Sequence, residues 1–149
     1  MITIIEGNIL NATEDIIAHQ VNTKSVMGGG LALQIKNKYP KVFDEYKSRC
    51  INYGSKNLGT CQFVYNKPDG KIIANLFGQD GFGRDKQYTD YKALESSLDI
   101  LESYASHEGL SVAIPFRLGS GLGGGSWEEV YKIIEDVFSE YNVTIYKLN

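Results

Sequence analysis

The chain has 149 residues, 42% of them apolar, and a formal net charge of −3 from 15 basic and 18 acidic side chains. That length and apolar share suit a single globular domain spanning residues 1–149. A slightly acidic chain with no basic stripe excludes broad electrostatic attachment to nucleic acid or anionic membranes, though not a site that reads one nucleotide.

Residues 2–6, "ITIIE", read as a buried strand closed by Gly7, and "DIIAHQVN" (15–22) as a second strand. The first segment lacks the basic start and cleavage pattern of a signal peptide. No apolar run approaches the roughly 20 residues that span a bilayer. A cytoplasmic protein is the expectation. After Gly28, Gly29 and Gly30 the pattern turns helical: Leu31, Ile35, Tyr39, Val42, Phe43 and Tyr46 recur at helical spacing. Pro40 ends or kinks one helix there and opens the next. "TCQFVYN" and "KIIANLF" flank Pro68-Asp69-Gly70, which predicts a hairpin. Residues 78–87 form a polar, Gly-rich loop. Thr89 or Asp90 caps a helix that stops at Gly109. "LSVAIPF" is a strand, "RLGSGLGGG" a second glycine loop, and "SWEEVYKIIEDVFSEY" a helix opened by a Ser126/Glu129 capping box. "VTIYKL" is the last strand. The alternation predicts an α/β fold with helices on both faces of a mixed sheet.

Both glycine loops lie between a strand and a helix. Ligands of open α/β sheets sit beyond the carboxyl ends of the strands. Glycine there lets backbone N–H groups approach an anion, and a helix start adds unpaired donors and a positive dipole end. Two such loops could grip a diphosphate from two sides. Neither has the Lys-Ser/Thr pair of a Walker A loop, and the first βα turn is not a GxGxxG fingerprint. Cys50 and Cys61 form neither a metal pattern nor a disulfide framework, so reduced thiols are expected. With His19 and His107 also scattered, neither a metal site nor a cofactor is legible.

The order "EGNIL", "HQVNTKSVMGGGLALQI", "IPFRLGSGLGGGSWEEV" resembles the macrodomain family, whose members bind ADP-ribose and its derivatives. The resemblance covers nearly the whole chain and implies a three-layer α/β/α fold with a mixed central sheet. The segment around the first loop looks like two branches, the ADP-ribose-1″-phosphate phosphatases and the atypical ADP-ribosyl hydrolases with a "MGxGIA"-type loop. "GSKNLGTC" and "NLFGQDGFG" favour the phosphatases.

The resemblance assigns roles by position. Asn8 stands where the family carries an acidic residue for the adenine amine, and an amide oxygen can still accept there. The Ile9 N–H would meet a ring nitrogen. Asn22 would face the distal ribose, unless it serves as a turn residue. Gly28, Gly29, Gly30 and Leu31 would contact ribose and diphosphate. Gly119, Ser120, Gly121, Leu122 and Gly123 would cradle the diphosphate from the other side. Phe82 could cover a ribose or stack on a base. His19 alternates with Ile17 and Val21, which suits a hydrogen-bonded core histidine or an acid–base group near a terminal phosphate. Asp80 is a solvated loop carboxylate or a base for water. Arg84 and Arg117 are surface cations or phosphate partners, and His107 belongs to the surface.

Three positions depart from the related hydrolases. Gln79 falls where one branch carries a lysine, and an amide cannot act as a nucleophilic amine. Gly123 falls where that branch can carry an acid. "HQVN" replaces the "NAAN" of the best-known branch. The reading is therefore a monomer that binds ADP-ribose and hydrolyses a derivative, ADP-ribose-1″-phosphate first, through His19, Asn22 and Asp80. The alternatives are a non-catalytic ADP-ribose reader and a hydrolase acting on an ADP-ribosylated protein or nucleic acid.

Overall fold

The computed structural model describes residues 1–148. Six strands alternate with four helices: β1 (Ile2–Glu6), β2 (Ile16–Val21), α1 (Gly30–Lys38), α2 (Pro40–Tyr53), β3 (Cys61–Asn66), β4 (Lys71–Phe77), α3 (Tyr91–Glu108), β5 (Val112–Pro115), α4 (Trp127–Val137) and β6 (Val143–Lys147). The sheet order is β1-β6-β5-β2-β4-β3. Only β3 runs antiparallel, as the hairpin partner of β4. The other strands pair in parallel, so their carboxyl ends and both glycine loops emerge at one edge of the sheet.

Alternation along the central strand β2 feeds two cores. Ile16 and Ala18 pack with Leu94, Leu98 and Leu101 of α3 and with Val130 and Ile134 of α4. Ile17 and Val21 pack with Ile35 of α1 and with Val42 and Tyr46 of α2. The helices therefore cover both faces, giving the three-layer α/β/α arrangement. Cys61 lies in the first core and Cys50 in the second, so the sheet separates the two thiols.

Pro40 takes the first helical position of α2, directly after α1 ends. Asp90 caps α3 by accepting from the Ala93 N–H at 3.1 Å, and Gly109 closes it in the left-handed conformation at φ +69°. Two expectations need correction. Strand β1 is not buried: it is the outermost strand, paired only with β6, and leaves Ile4 47% and Ile5 39% exposed. The capping box at α4 does not close. The Ser126 side chain makes no cap bond, and its N–H donates instead to the Tyr91 hydroxyl at 2.8 Å, leaving Glu129 nothing to reciprocate.

Candidate active site

A cavity of about 910 Å³ opens at the carboxyl edge of the sheet between the two glycine loops. That lies within the roughly 300–1,000 Å³ of sites for small organic ligands. Its wall contains Asn22, Gly28, Gly29, Gly30 and Leu31 from the first loop and Gly119, Gly121, Leu122 and Gly123 from the second. His19 and Gln20 reach it from the end of β2, and Phe82, Arg84 and Lys86 from the loop after β4. Arg117 joins them, so three cations border the cavity. His107, in contrast, lies on the surface beside Glu108.

Four expected residues stand outside this wall. Asn8 caps a short turn, Ile9–Asn11, by accepting from the Leu10 N–H at 3.0 Å. Ile9 is buried in the core beneath it. The buried Ser120 turns its hydroxyl back to the Leu118 carbonyl at 3.4 Å. Asp80 accepts from Ser55 Oγ at 2.6 Å and, in a very short bond, from Thr23 Oγ1, with Lys24 Nζ 3.5 Å away. The Ser55 and Thr23 hydrogen bonds hold its carboxyl below the ordinary range.

The first loop folds around Asn22. Its Oδ1 accepts from the Lys24 N–H at 2.8 Å, and its Nδ2 donates to the Val26 carbonyl at 2.8 Å. The Tyr46 hydroxyl lies 2.8 Å from both the carbonyl and Oδ1 of Asn22. Burial pushes the Tyr46 phenol well above its ordinary pKa, so it stays a donor. Ser25 is held at φ +67°, an unusual conformation for a residue with a Cβ. Among the described residues, the N–H groups of Gly29 to Ala32 and of Gly121, Leu122 and Gly123 have no hydrogen-bond partner. Two walls of one cavity thus offer rows of free backbone donors, one of them at the start of a helix.

The second loop sits on a neutral network. Gln20 Nε2 donates to Gln79 Oε1 at 2.7 Å and to Thr89 Oγ1 at 2.8 Å, and Thr89 Oγ1 donates to the Gly119 carbonyl at 2.7 Å. Gln79 is tied further to the Gly81 carbonyl at 2.8 Å. A Cβ at Gly123 would sit 2.3 Å from Thr89 Oγ1 and 2.8 Å from Gln20 Nε2. Position 123 is therefore closed to any side chain. Gln20 was not foreseen as a site residue. The signal was present as a polar residue in an apolar strand, pointing away from His19. Lys86, Phe116 and Leu118 also line the cavity and had no signal in the sequence.

His19 is 2% exposed. Its Nε2 lies 2.6 Å from Asn75 Oδ1, while Nδ1 has no hydrogen-bond partner among the described residues. Burial lowers its pKa from 6.5 to about 4, against a smaller opposing effect of the Asn75 bond. The imidazole is neutral at pH 7. No group of three or more His, Cys, Asp or Glu is placed to hold a metal ion among the described residues.

Glycine-lined backbone donors at the carboxyl edge of an open α/β sheet are chemistry suited to an anionic ligand. The match to a family is specific: the Macro domain profile covers residues 18–134, and the chain belongs to the macro domain family. It is 26% identical to the ADP-ribose 1″-phosphate phosphatase of Saccharomyces cerevisiae, over 99% of this chain and 98% of that protein. It is 32% identical to the DNA ADP-ribosyl glycohydrolase of Mycobacterium tuberculosis, over 94% of this chain and 39% of the longer relative. The solved macrodomain of Mycobacterium tuberculosis DarG superposes with a TM-score of 0.85 at 30% identity, over 98% of this chain and 97% of that one. No helix among the described residues is long and apolar enough to cross a membrane.

Proposed function

We propose that this macrodomain binds ADP-ribose between its two glycine loops and removes the phosphate from ADP-ribose 1″-phosphate. The observation that carries the reading is His19: a neutral imidazole lining the cavity beside the first loop, with one buried nitrogen left without a partner. The full-length likeness to the yeast phosphatase supports the same substrate.

The free N–H groups of Gly29 to Ala32 and of Gly121 to Gly123 hold the diphosphate, with Arg84, Lys86 and Arg117 supplying positive charge. Asn22 shapes the loop that carries the distal ribose. An unprotonated Nδ1 cannot bond a phosphate oxygen directly, because both are acceptors; a water can donate to each. Water oxygen then bonds to phosphorus, and the bond from phosphorus to the 1″ oxygen breaks with its electron pair on that oxygen. The 1″ oxygen takes up a proton, giving ADP-ribose and orthophosphate. A loose phosphoryl-transfer transition state asks little proton removal of the attacking water. A base as weak as His19 can therefore serve by orienting that water. Asp80 adds a carboxylate near the first loop, fixed by Thr23 and Ser55.

The test is paired, on one preparation. ADP-ribose is titrated by calorimetry, and phosphate release from ADP-ribose 1″-phosphate is followed. Binding with multiple turnovers supports the reading; binding without turnover leaves a reader. A second reading, release of ADP-ribose from modified DNA, is favoured by the 32% identity to the mycobacterial glycohydrolase. Gln79 and the closed position at Gly123 oppose it. Absence of ADP-ribose release from end-modified single-stranded DNA would sink it.

A further inference from the structure

We propose that Asn75 and Gln62 are positioning residues that hold His19 as its Nε2–H tautomer and so keep Nδ1 an acceptor.

The three side chains form one rung across the sheet. His19 on β2 pairs in register with Asn75 on β4, which pairs with Gln62 on β3. All three are buried, with Asn75 fully so. The rung below it on the same face is Ile17, Ile73 and Val64, wholly apolar. A rung whose only task was packing would match its neighbour, since buried amides must all be paired to be tolerated.

The direction of the rung follows from one fixed atom. Gln62 lies 3.1 Å from the backbone carbonyl of Glu45 on α2, and a carbonyl can only accept. Gln62 must turn its Nε2 there, which points Oε1 at Asn75. Asn75 must then donate through Nδ2, at 3.0 Å, which points its Oδ1 at His19. The 2.6 Å contact to His19 Nε2 therefore requires a proton on Nε2. In a neutral ring the other nitrogen carries a lone pair. The chain starts on a backbone acceptor and ends on the buried, unpaired Nδ1 of His19, a residue that lines the cavity. The use made of that lone pair, orienting the attacking water, rests on the phosphatase reading above; the tautomer does not.

The experiment uses the full chain labelled with ¹⁵N-histidine. Long-range ¹H–¹⁵N correlation at neutral pH reports which His19 nitrogen carries the proton. The expected wild-type result is Nε2–H. Gln62 does not touch His19, yet Gln62→Leu frees Asn75 to turn its NH₂ toward the ring. That variant should populate Nδ1–H, and kcat for ADP-ribose 1″-phosphate should fall about tenfold with little change in KM. An Nδ1–H ring in the wild type would overturn the proposal. So would an unchanged tautomer in Gln62→Leu. If Gln62→Leu does not fold, the wild-type spectrum and Gln62→Ala decide in the same way. A wild type with the Nε2–H ring but no phosphate release would leave the tautomer assignment standing and remove the phosphatase reading.

Discussion

Gly29 and Leu122 meet across the two glycine loops: a Cβ on Gly29 would lie 2.9 Å from Leu122 Cδ1. The clash is with the free end of a half-exposed side chain, which can swing away. Gly123 meets a different neighbour, the Thr89 hydroxyl already committed to Gln20 and to the Gly119 carbonyl. Gly29→Ala should therefore weaken ADP-ribose binding only slightly. Gly123→Ala should cost about 1–3 kcal/mol of stability by overpacking and weaken binding far more. Calorimetric titration and thermal unfolding of the two variants, side by side, check the ranking.

His19→Asn removes the unpaired ring nitrogen while keeping a polar group at the site. With water positioning lost, kcat should fall by about 10²-fold, at the low end for acid–base groups. The Kd for ADP-ribose should barely change, because the loop amides are untouched. Equal loss of binding and turnover would make the residue a structural one.

Stability should fall as the solution is acidified, with a sign set by the same residue. The unfolded chain takes up a proton on His19 near 6.5, the folded chain only near 4. The unfolded state holds more protons between those values, so stability is full above 6.5 and declines as pH falls toward 4, by about 3 kcal/mol in total. Urea unfolding at pH 7, 5.5 and 4.5 measures the slope. In His19→Asn this share of the slope should vanish.

Asp80→Asn keeps the shape of the carboxylate but removes its charge. The expected outcome is a drop in kcat of about tenfold or less, because the group stands outside the cavity wall. ADP-ribose affinity should hold, since Thr23 Oγ1 can still donate to an amide oxygen. An unchanged kcat would confine Asp80 to bracing the first loop.

The glycine loops were legible in the sequence because their chemistry is local. A run of residues without side chains between a strand and a helix start has few other uses. The helices announced themselves through apolar spacing and through Pro40, Asp90 and Gly109. The exposure of β1 was not legible, because "ITIIE" is apolar on both faces and only the sheet order puts it at an edge. The open capping box failed for a similar reason: Tyr91, 35 residues away, takes the Ser126 N–H. The site was half visible. Strand alternation placed His19 with Ile17 and Val21, but its partners depend on a register with β4 and β3 that no local pattern encodes. Asn75 and Gln62 read as ordinary polar residues in a hairpin until the strands are paired.

Consecutive residues of β2 serve opposite sides of the sheet: His19 heads the amide rung beneath α2, and Gln20 anchors the loop beside α3. The two halves of the cavity therefore share a single ruler. Because side chains alternate with a period of two, deleting Ala18 would move His19 and Gln20 to the opposite faces. The imidazole would then fall in the core of Ala74, Leu94 and Leu98, and the glutamine under α2. Point substitutions can tune this site one group at a time, but a change of length in β2 would dismantle both halves at once.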